Sequence, residues 1–311
     1  MMHEHFPEGY IPSKIQALNL PEGTLSDAQV VDSLAVTWNP DDVPPVADYK
    51  SLRPWLEEKA AYRRMLFNAG RYRNWYDLYD WEKIFVASQG SSPSCAGFSL
   101  DRSRQICLMN QIFEGSEQTV ERANPGVTWA LSKGSVRGGQ TLQAMALAGN
   151  EMGSFPEAST AKYDASTGYG TYSNLAEKCP TAAKLQIGFS QVPESFDFAE
   201  EIVLACQAGC GVMVGNLKSV DGFTQTNGKW EPVITSGGAH ATAFGGYDFA
   251  TEQADWWNSW GKIYETHLPP IGGPMSKDSV KRFMNSSYAD LIIIYHAEAP
   301  VDSTLTPTLE L

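Results

Sequence analysis

Past Ala208 the chain stops reading as helix, and that break limits the folds open to it. Phe198 to Ala208 has helical character, but beyond it lies a series of short apolar runs separated by Gly and Asn: Gly211 to Val214, Lys229 to Thr235, Ala239 to Tyr247, Ala254 to Trp260 and Leu291 to His296. Runs of that length and punctuation are strands. Ahead of the break the signals are helical. Pro54 to Ala69 carries Trp55, Leu56, Ala60, Ala61, Met65 and Leu66, with Pro54 near its start and Gly70 just past its end. Phe98 to Phe113, free of Pro and Gly, spaces Phe98, Ile106, Met109 and Ile112 as a helix does, and Thr141 to Ala148 comes next as another. A mainly helical half succeeded by a mainly β half specifies an α+β fold.

The remaining stretches are irregular by composition. Residues 1 to about 50 are rich in Pro, Asp and Gly and read as an extended arm. Gly153 to Thr181 and Lys262 to Pro274 read as loops, the latter leading into a helix near Ser276 to Asn285. No internal repeat or heptad pattern is present.

With 311 residues, 42% of them hydrophobic, the chain can bury one large domain or two lobes. Its formal charge of -13 repels phosphate backbones and anionic lipid surfaces, which excludes nucleic acid as an expected partner. The start, Met1 to Glu8, has neither the basic residues nor the apolar run of a secretory signal, and Leu291-Ile292-Ile293-Ile294 is too short to cross a bilayer. Five cysteines (Cys95, Cys107, Cys179, Cys206, Cys210) form an odd set, so at least one is a free thiol. Cys206 and Cys210 have no neighbouring Cys or His pair to complete a zinc set and are expected as buried small residues. No metal or cofactor is expected.

Cys95 opens the Phe98 to Phe113 helix region, where helix N-terminal N–H groups favour a thiolate. Such a nucleophile needs a base. Of the five histidines, His3 and His5 lie in the polar arm, His267 stands beside Pro269-Pro270, and His296 sits in a late apolar run. His240 opens a stretch of small residues, where a strand can present its ring to a cleft. Asn258 lies within Trp256-Trp257-Asn258-Ser259-Trp260-Gly261, where an amide oxygen can orient an imidazole and indoles can exclude water. Each residue alone is more commonly a core or turn residue.

The block from Gln89 to Ser99, with Gln89 six positions before Cys95, resembles the glutamine-to-cysteine block of the papain-like cysteine peptidase family. Ala239 to Tyr247 resembles that family's histidine strand, and Asn258-Ser259-Trp260-Gly261 its asparagine motif. Gly138-Gly139 resembles the double glycine that pairs with an extended substrate. The resemblance covers roughly residues 79 to 261. It implies a papain-like two-lobe α+β fold, with Cys95 as nucleophile on the helical lobe and His240 as base and Asn258 as its orienting group on the β lobe. Gln89 would stand in the oxyanion hole, Trp260 would shield the His240–Asn258 contact, and Gly138, Gly139 and Ala239 would line the substrate channel. The implied domain organisation is an arm with one helix over 1–75, a papain-like domain over 76–296 (helical lobe about 76–190, β lobe about 191–296) and a tail over 297–311. The implied partner is a polypeptide substrate.

The chain departs from the family in places. Ala96 stands where a tryptophan usually comes directly after the nucleophile, so the cleft wall differs. Ser92 and Val136 stand at both positions of a family disulfide, a joint loss that points to an intracellular protein or one assembled inside a cell. The arm reads as a structural extension, with an inhibitory prosegment as the competing reading. The Thr/Pro-rich tail from Ser303 to Leu311 suggests a neighbouring subunit. Endopeptidase action ranks first, a papain-fold structural component of a larger assembly such as a virion second, and another thiol amidase or acyltransferase third.

Overall fold

The computed structural model describes residues 47–297 apart from 116–119, 121, 133–138, 152, 158–159, 168–171, 173 and 175–186. The arm over 1–46, the tail beyond Ala297, Val136, Gly138 and Cys179 lie outside the described residues. The helices are α1 (Tyr49–Asn68), α2 (Trp75–Leu78), α3 (Trp81–Ile84), α4 (Cys95–Phe113), α5 (Pro125–Leu131), α6 (Leu142–Glu151), α7 (Phe198–Gln207) and α8 (Lys277–Met284). The strands are β1 (Ile187–Gln191), β2 (Gly211–Thr226), β3 (Lys229–Asp248), β4 (Gln253–Trp257), β5 (Gly272–Ser276) and β6 (Asp290–Ala297). All six join one sheet in the order β1-β6-β2-β3-β4-β5, and each neighbouring pair is antiparallel.

Alternate residues of the central strands face opposite sides of the sheet, and both sides are apolar. Val212, Val214, Phe244, Trp256, Ile293 and Tyr295 pack into one core with α1, α7 and α8. Met213, Ala241, Ala243, Trp257, Ile292 and Ile294 pack into the other with α4, α5 and α6. Burial on both faces explains why these strands read as continuous apolar runs rather than as alternating ones. The α+β expectation holds: the helix beginning at Cys95 covers one face of the antiparallel sheet that carries His240, with Asn258 directly beyond β4.

Helix α4 is the element that positions everything else. From Ala96 to Gln111 it is buried on all sides, including Asp101, Arg102, Arg104 and Gln105. It lies so close to the sheet that a Cβ at Gly211 would stand 1.8 Å from the Ser103 carbonyl oxygen. Only glycine permits that approach. Ser99 Oγ donates to the Thr242 carbonyl, which fixes the helix along β3.

Several boundaries differ from the sequence reading. Helix α1 begins at Tyr49, with Pro54 inside it, because Asp48 accepts a hydrogen bond from the Ser51 amide at 3.3 Å and caps the helix earlier. The two expected strands over Lys229 to Thr235 and Ala239 to Tyr247 are one strand, carried across Ser236 by its pairing with Lys218. The expected strand from Ala254 to Trp260 ends at Trp257, which leaves Asn258 to Trp260 in the turn beyond. Within the expected loop from Lys262 to Pro274 begins β5, an edge strand, where a proline is tolerated and where Gly272 and Gly273 leave room for Trp257 and Phe223.

Helix α1 is tied to the far end of α4 by a buried ion cluster. Lys59 Nζ lies 2.8 Å and Arg63 Nη1 2.7 Å from the Glu114 carboxylate, and Arg63 Nη2 donates to Asn110 Oδ1 at 2.8 Å. Burial pushes the Glu114 carboxyl up, yet Lys59 and Arg63 outweigh it and hold the group below its ordinary value. A carboxyl depressed in the folded state contributes stability above its ordinary value and loses it as pH falls below that value. Glu114→Gln should therefore lower the unfolding free energy by about 3–5 kcal/mol at pH 7, because two cations are left buried without compensation. Denaturant titrations at pH 7 and pH 4 check this, and the deficit should be smaller at pH 4.

Candidate active site

Each candidate side chain is set by a different element. Cys95 is the first residue of α4 and is partly exposed, whereas Cys107, Cys206 and Cys210 are buried. Its cap residue Ser94 makes no side-chain capping bond. The Ser94 hydroxyl instead meets the Tyr163 hydroxyl at 3.2 Å, and the Tyr163 hydroxyl donates to the Gln89 carbonyl at 2.9 Å. The backbone amides of Ala241, Ala96 and Cys95 itself favour the thiolate and draw the thiol down. Ser99, one turn further along α4, bonds the Thr242 carbonyl two residues after His240.

His240 lies in β3 opposite Asn216 and is buried. Its Nε2 is 2.9 Å from Asn258 Oδ1. An amide oxygen can only accept, so Nε2 carries the hydrogen and Nδ1 is left with the basic lone pair. The Asn258 amide is itself oriented, since Nδ2 donates to the Tyr264 hydroxyl at 2.9 Å and Oδ1 also accepts from the Ser259 amide at 2.8 Å. Tyr264 passes the chain of bonds on to the Val220 carbonyl at 3.4 Å. Trp260 stacks on the imidazole with ring centroids 4.3 Å apart and an interplanar angle of 24°. Gly261 makes that placement possible, because its φ of +63° and its approach to Ser88, 2.9 Å from where a Cβ would stand, exclude a side chain.

Gln89 is held against the same turn. Gln89 N donates to the Ser259 carbonyl at 2.7 Å, Ser88 pairs with Trp260, and Gly261 N donates to the Ala87 carbonyl at 3.1 Å. Its side chain accepts from Ser259 Oγ at 2.6 Å and donates through Nε2 to the Ser92 carbonyl at 2.8 Å. One Nε2 hydrogen is thus engaged by the turn that leads into Cys95, and the second is not required by it. Gln89, His240, Asn258 and Trp260 therefore form one bonded group through Ser259, and α4, which begins at Cys95, is tied to the His240 strand by Ser99. Ala239 is exposed directly before His240, and Gly139 is exposed with open space around it; Gly138 lies outside the described residues. Trp256 and Trp257 are core residues, one on each face of the sheet.

The electrostatics differ from the sequence expectation of a lowered thiol pKa. Burial pushes the Cys95 thiol up, and the three backbone amides only partly counter it. Burial likewise pushes His240 down to about 4, with Asn258 drawing it up and Arg102 pushing it further down. At neutral pH Cys95 is therefore a thiol and His240 a neutral imidazole. Ser259, Tyr264 and Arg102 also serve this site and carried no functional signal in the sequence, although Ser259 falls inside the asparagine motif.

No family model and no curated protein matches the chain. Among solved structures it is similar to xylellain, a cysteine protease from Xylella fastidiosa, at 14% identity and a TM-score of 0.47, over 70% of this chain and 83% of that one. It is also similar to the Carica candamarcensis cysteine protease, at 16% identity and a TM-score of 0.42, over 73% of this chain and 98% of that one. A third likeness is to digestive procathepsin L 3 of the Tenebrio molitor larval midgut, at 14% identity and a TM-score of 0.43, over 70% of this chain and 68% of that one.

A histidine whose folded pKa is lowered stabilises the fold fully above its ordinary value, and that contribution falls as pH drops towards the folded value. For His240 the window runs from 6.5 down to about 4. His240→Gln should flatten the decline of stability across it, by about 3 kcal/mol over the window. Urea unfolding of both proteins at pH 7, 5.5 and 4 reads the difference.

Proposed function

We propose that the chain is a thiol endopeptidase acting on polypeptides through Cys95, His240, Asn258 and Gln89. The observation that carries this reading is the convergence of three distant segments. Cys95 heads the helix whose Ser99 bonds the Thr242 carbonyl of the His240 strand, while His240 is oriented by Asn258, shielded by Trp260 and tied through Ser259 to Gln89. A nucleophile, an oriented base and an orienting amide are the components of acyl transfer through a covalent intermediate.

Because both partners rest neutral, His240 acts as a general base during attack. Nδ1 takes the thiol proton as the sulfur bonds to the scissile carbonyl carbon, and the carbonyl electrons move onto oxygen. The free Nε2–H of Gln89 and the Cys95 N–H would receive that oxyanion, each contributing about 3 kcal/mol. The imidazolium then gives its proton to the departing amine, and the carbon–nitrogen bond breaks to leave a thioester on Cys95. Water, deprotonated by the same nitrogen, attacks the thioester; the new acid leaves and the thiol is restored. Asn258 keeps Nε2 protonated throughout, and Trp260 keeps water from competing for that bond.

The same neutral pair also suits a papain-fold structural component whose site is idle. The two readings are separated by chemistry at Cys95. Incubation with a peptide library, then mass spectrometry, should yield internal cleavages that Cys95→Ala abolishes, with kcat reduced by about 10⁶-fold. Asn258→Ala should keep the cleavage sites but lower kcat by about 10²-fold through a misplaced ring. Release of ammonia or of terminal groups alone would favour an amidase.

Iodoacetamide should alkylate Cys95 faster than Cys107 or Cys206 at neutral pH. Its rate should climb steadily with pH up to and beyond the ordinary thiol range. A plateau between pH 4 and 8 would mean a resting ion pair instead, and equal rates at all three cysteines would leave the structural reading standing.

A further inference from the structure

The site rests on a buried cation that takes no part in the acyl-transfer steps. Arg102 lies seven residues after Cys95 in α4, two turns along the same helix face. Between them Ser99 donates to the Thr242 carbonyl, so this face looks towards His240 and its strand. Arg102 Nη2 donates to the Val86 carbonyl at 2.9 Å and to the Ala87 carbonyl at 3.4 Å. The Ala87 carbonyl also accepts from Gly261 N, and the next two residues, Ser88 and Gln89, pair with Trp260 and Ser259. The guanidinium thus grips the base of a two-stranded junction whose far end carries the Gln89 amide and the indole over His240.

The arrangement is costly for packing alone. Arg102 is 2% exposed, and its Nε and Nη1 have no hydrogen-bond partner among the described residues. It stands over the Phe85 ring, 5.6 Å from the centroid. Its neighbour Asp101 lies in an ion pair with Arg104 at 3.8 Å. A buried cation so placed costs several kcal/mol of desolvation, and an apolar side chain of similar volume would fill the space without it. What an apolar residue cannot supply is a planar donor that bonds two successive carbonyls.

We propose that Arg102 is a positioning residue for acyl transfer at Cys95, holding the 86–89 segment so that Gln89 and Trp260 stay in register with the thiol and with His240. This rests on the reading of Cys95, His240 and Gln89 as an acyl-transfer site. The charge has a second effect in the same direction. Around the His240 ring are the Asn258 amide from beyond β4, the Trp260 indole and the cation of Arg102; around Arg102 are Asp101 of α4 and Tyr264. Of these, the positive charge helps to keep the imidazole in its neutral, proton-accepting form.

The test uses the full chain with Arg102→Met and Arg102→Lys, each checked for folding by circular dichroism and thermal unfolding. Steady-state kinetics on a peptide cleaved by the unaltered protein, together with an NMR titration of the His240 ring, supply the readouts. Arg102→Met should lower kcat by about 10²-fold with KM within about twofold, and should move the His240 titration up towards the ordinary histidine value. Arg102→Lys keeps the charge but not the reach by which Nη2 spans the Val86 and Ala87 carbonyls, so it should leave the titration low while recovering only part of kcat.

A folded Arg102→Met protein with unchanged kcat and unchanged titration overturns the proposal, as does a loss confined to KM. If Arg102→Met does not fold, Arg102→Lys decides: an unchanged kcat overturns. If the unaltered protein cleaves no peptide, the peptidase reading fails on its own. The Arg102 proposal is then read from the titration and from the iodoacetamide rate at Cys95, and identity of both with the unaltered protein overturns it.

Discussion

The contact between α4 and the sheet governs the molecule. Backbone meets backbone where Gly211 faces the Ser103 carbonyl, a spacing that no side chain at position 211 would allow. That approach lets Ser99 bond the Thr242 carbonyl of β3, two residues after His240. Were the helix one side chain further out, α4 would lose that tie to the His240 strand. The apolar cores on the two faces supply the driving force for this packing. Glycine supplies the distance.

A second constraint is burial of the polar groups at the site. His240, Asn258 and Gln89 are all buried, and each polar atom used in orientation meets another protein group: Asn258 Oδ1 with Nε2 of His240, Asn258 Nδ2 with Tyr264, Gln89 Oε1 with Ser259. Satisfied buried networks hold one geometry, which is what a base needs in order to face a nucleophile. The same burial raises the thiol and lowers the imidazole, so orientation and charge separation pull against each other here. A thiol and an imidazole that both rest uncharged are the outcome of that opposition.

The helical first half and the strands beyond Ala208 are legible in composition and punctuation, and Cys95 stands at a helix start as its surroundings in the chain imply. Gln89, His240 and Asn258 stand out in the sequence through the papain-like motifs they resemble, and the structure bonds them together through Ser259. The supporting residues are not legible. Asp101, Arg102, Arg104 and Gln105 are polar at successive helical positions, a pattern that belongs to a solvated face, yet α4 is enclosed on every side. Tyr264 lies in a segment marked as loop by Pro and Gly, and only the fold brings its hydroxyl back to Asn258. Strand β5 is hidden for the same reason: Gly272, Gly273 and Pro274 signal a turn, and they suit an edge strand only because Trp257 and Phe223 close over it.

The ion cluster joining α1 to α4 sets a limit on how far the front of the chain can be trimmed. Tyr49, Leu52 and Leu56 fill the core on the α7 side of the sheet, while Lys59 and Arg63 neutralise a carboxylate at the end of the helix that begins with Cys95. Proteolytic excision through Asn68 would strip one core of its cover and strand Glu114 in a low-dielectric interior. Any trimming that leaves both cores and the Glu114 cluster intact therefore falls before Tyr49.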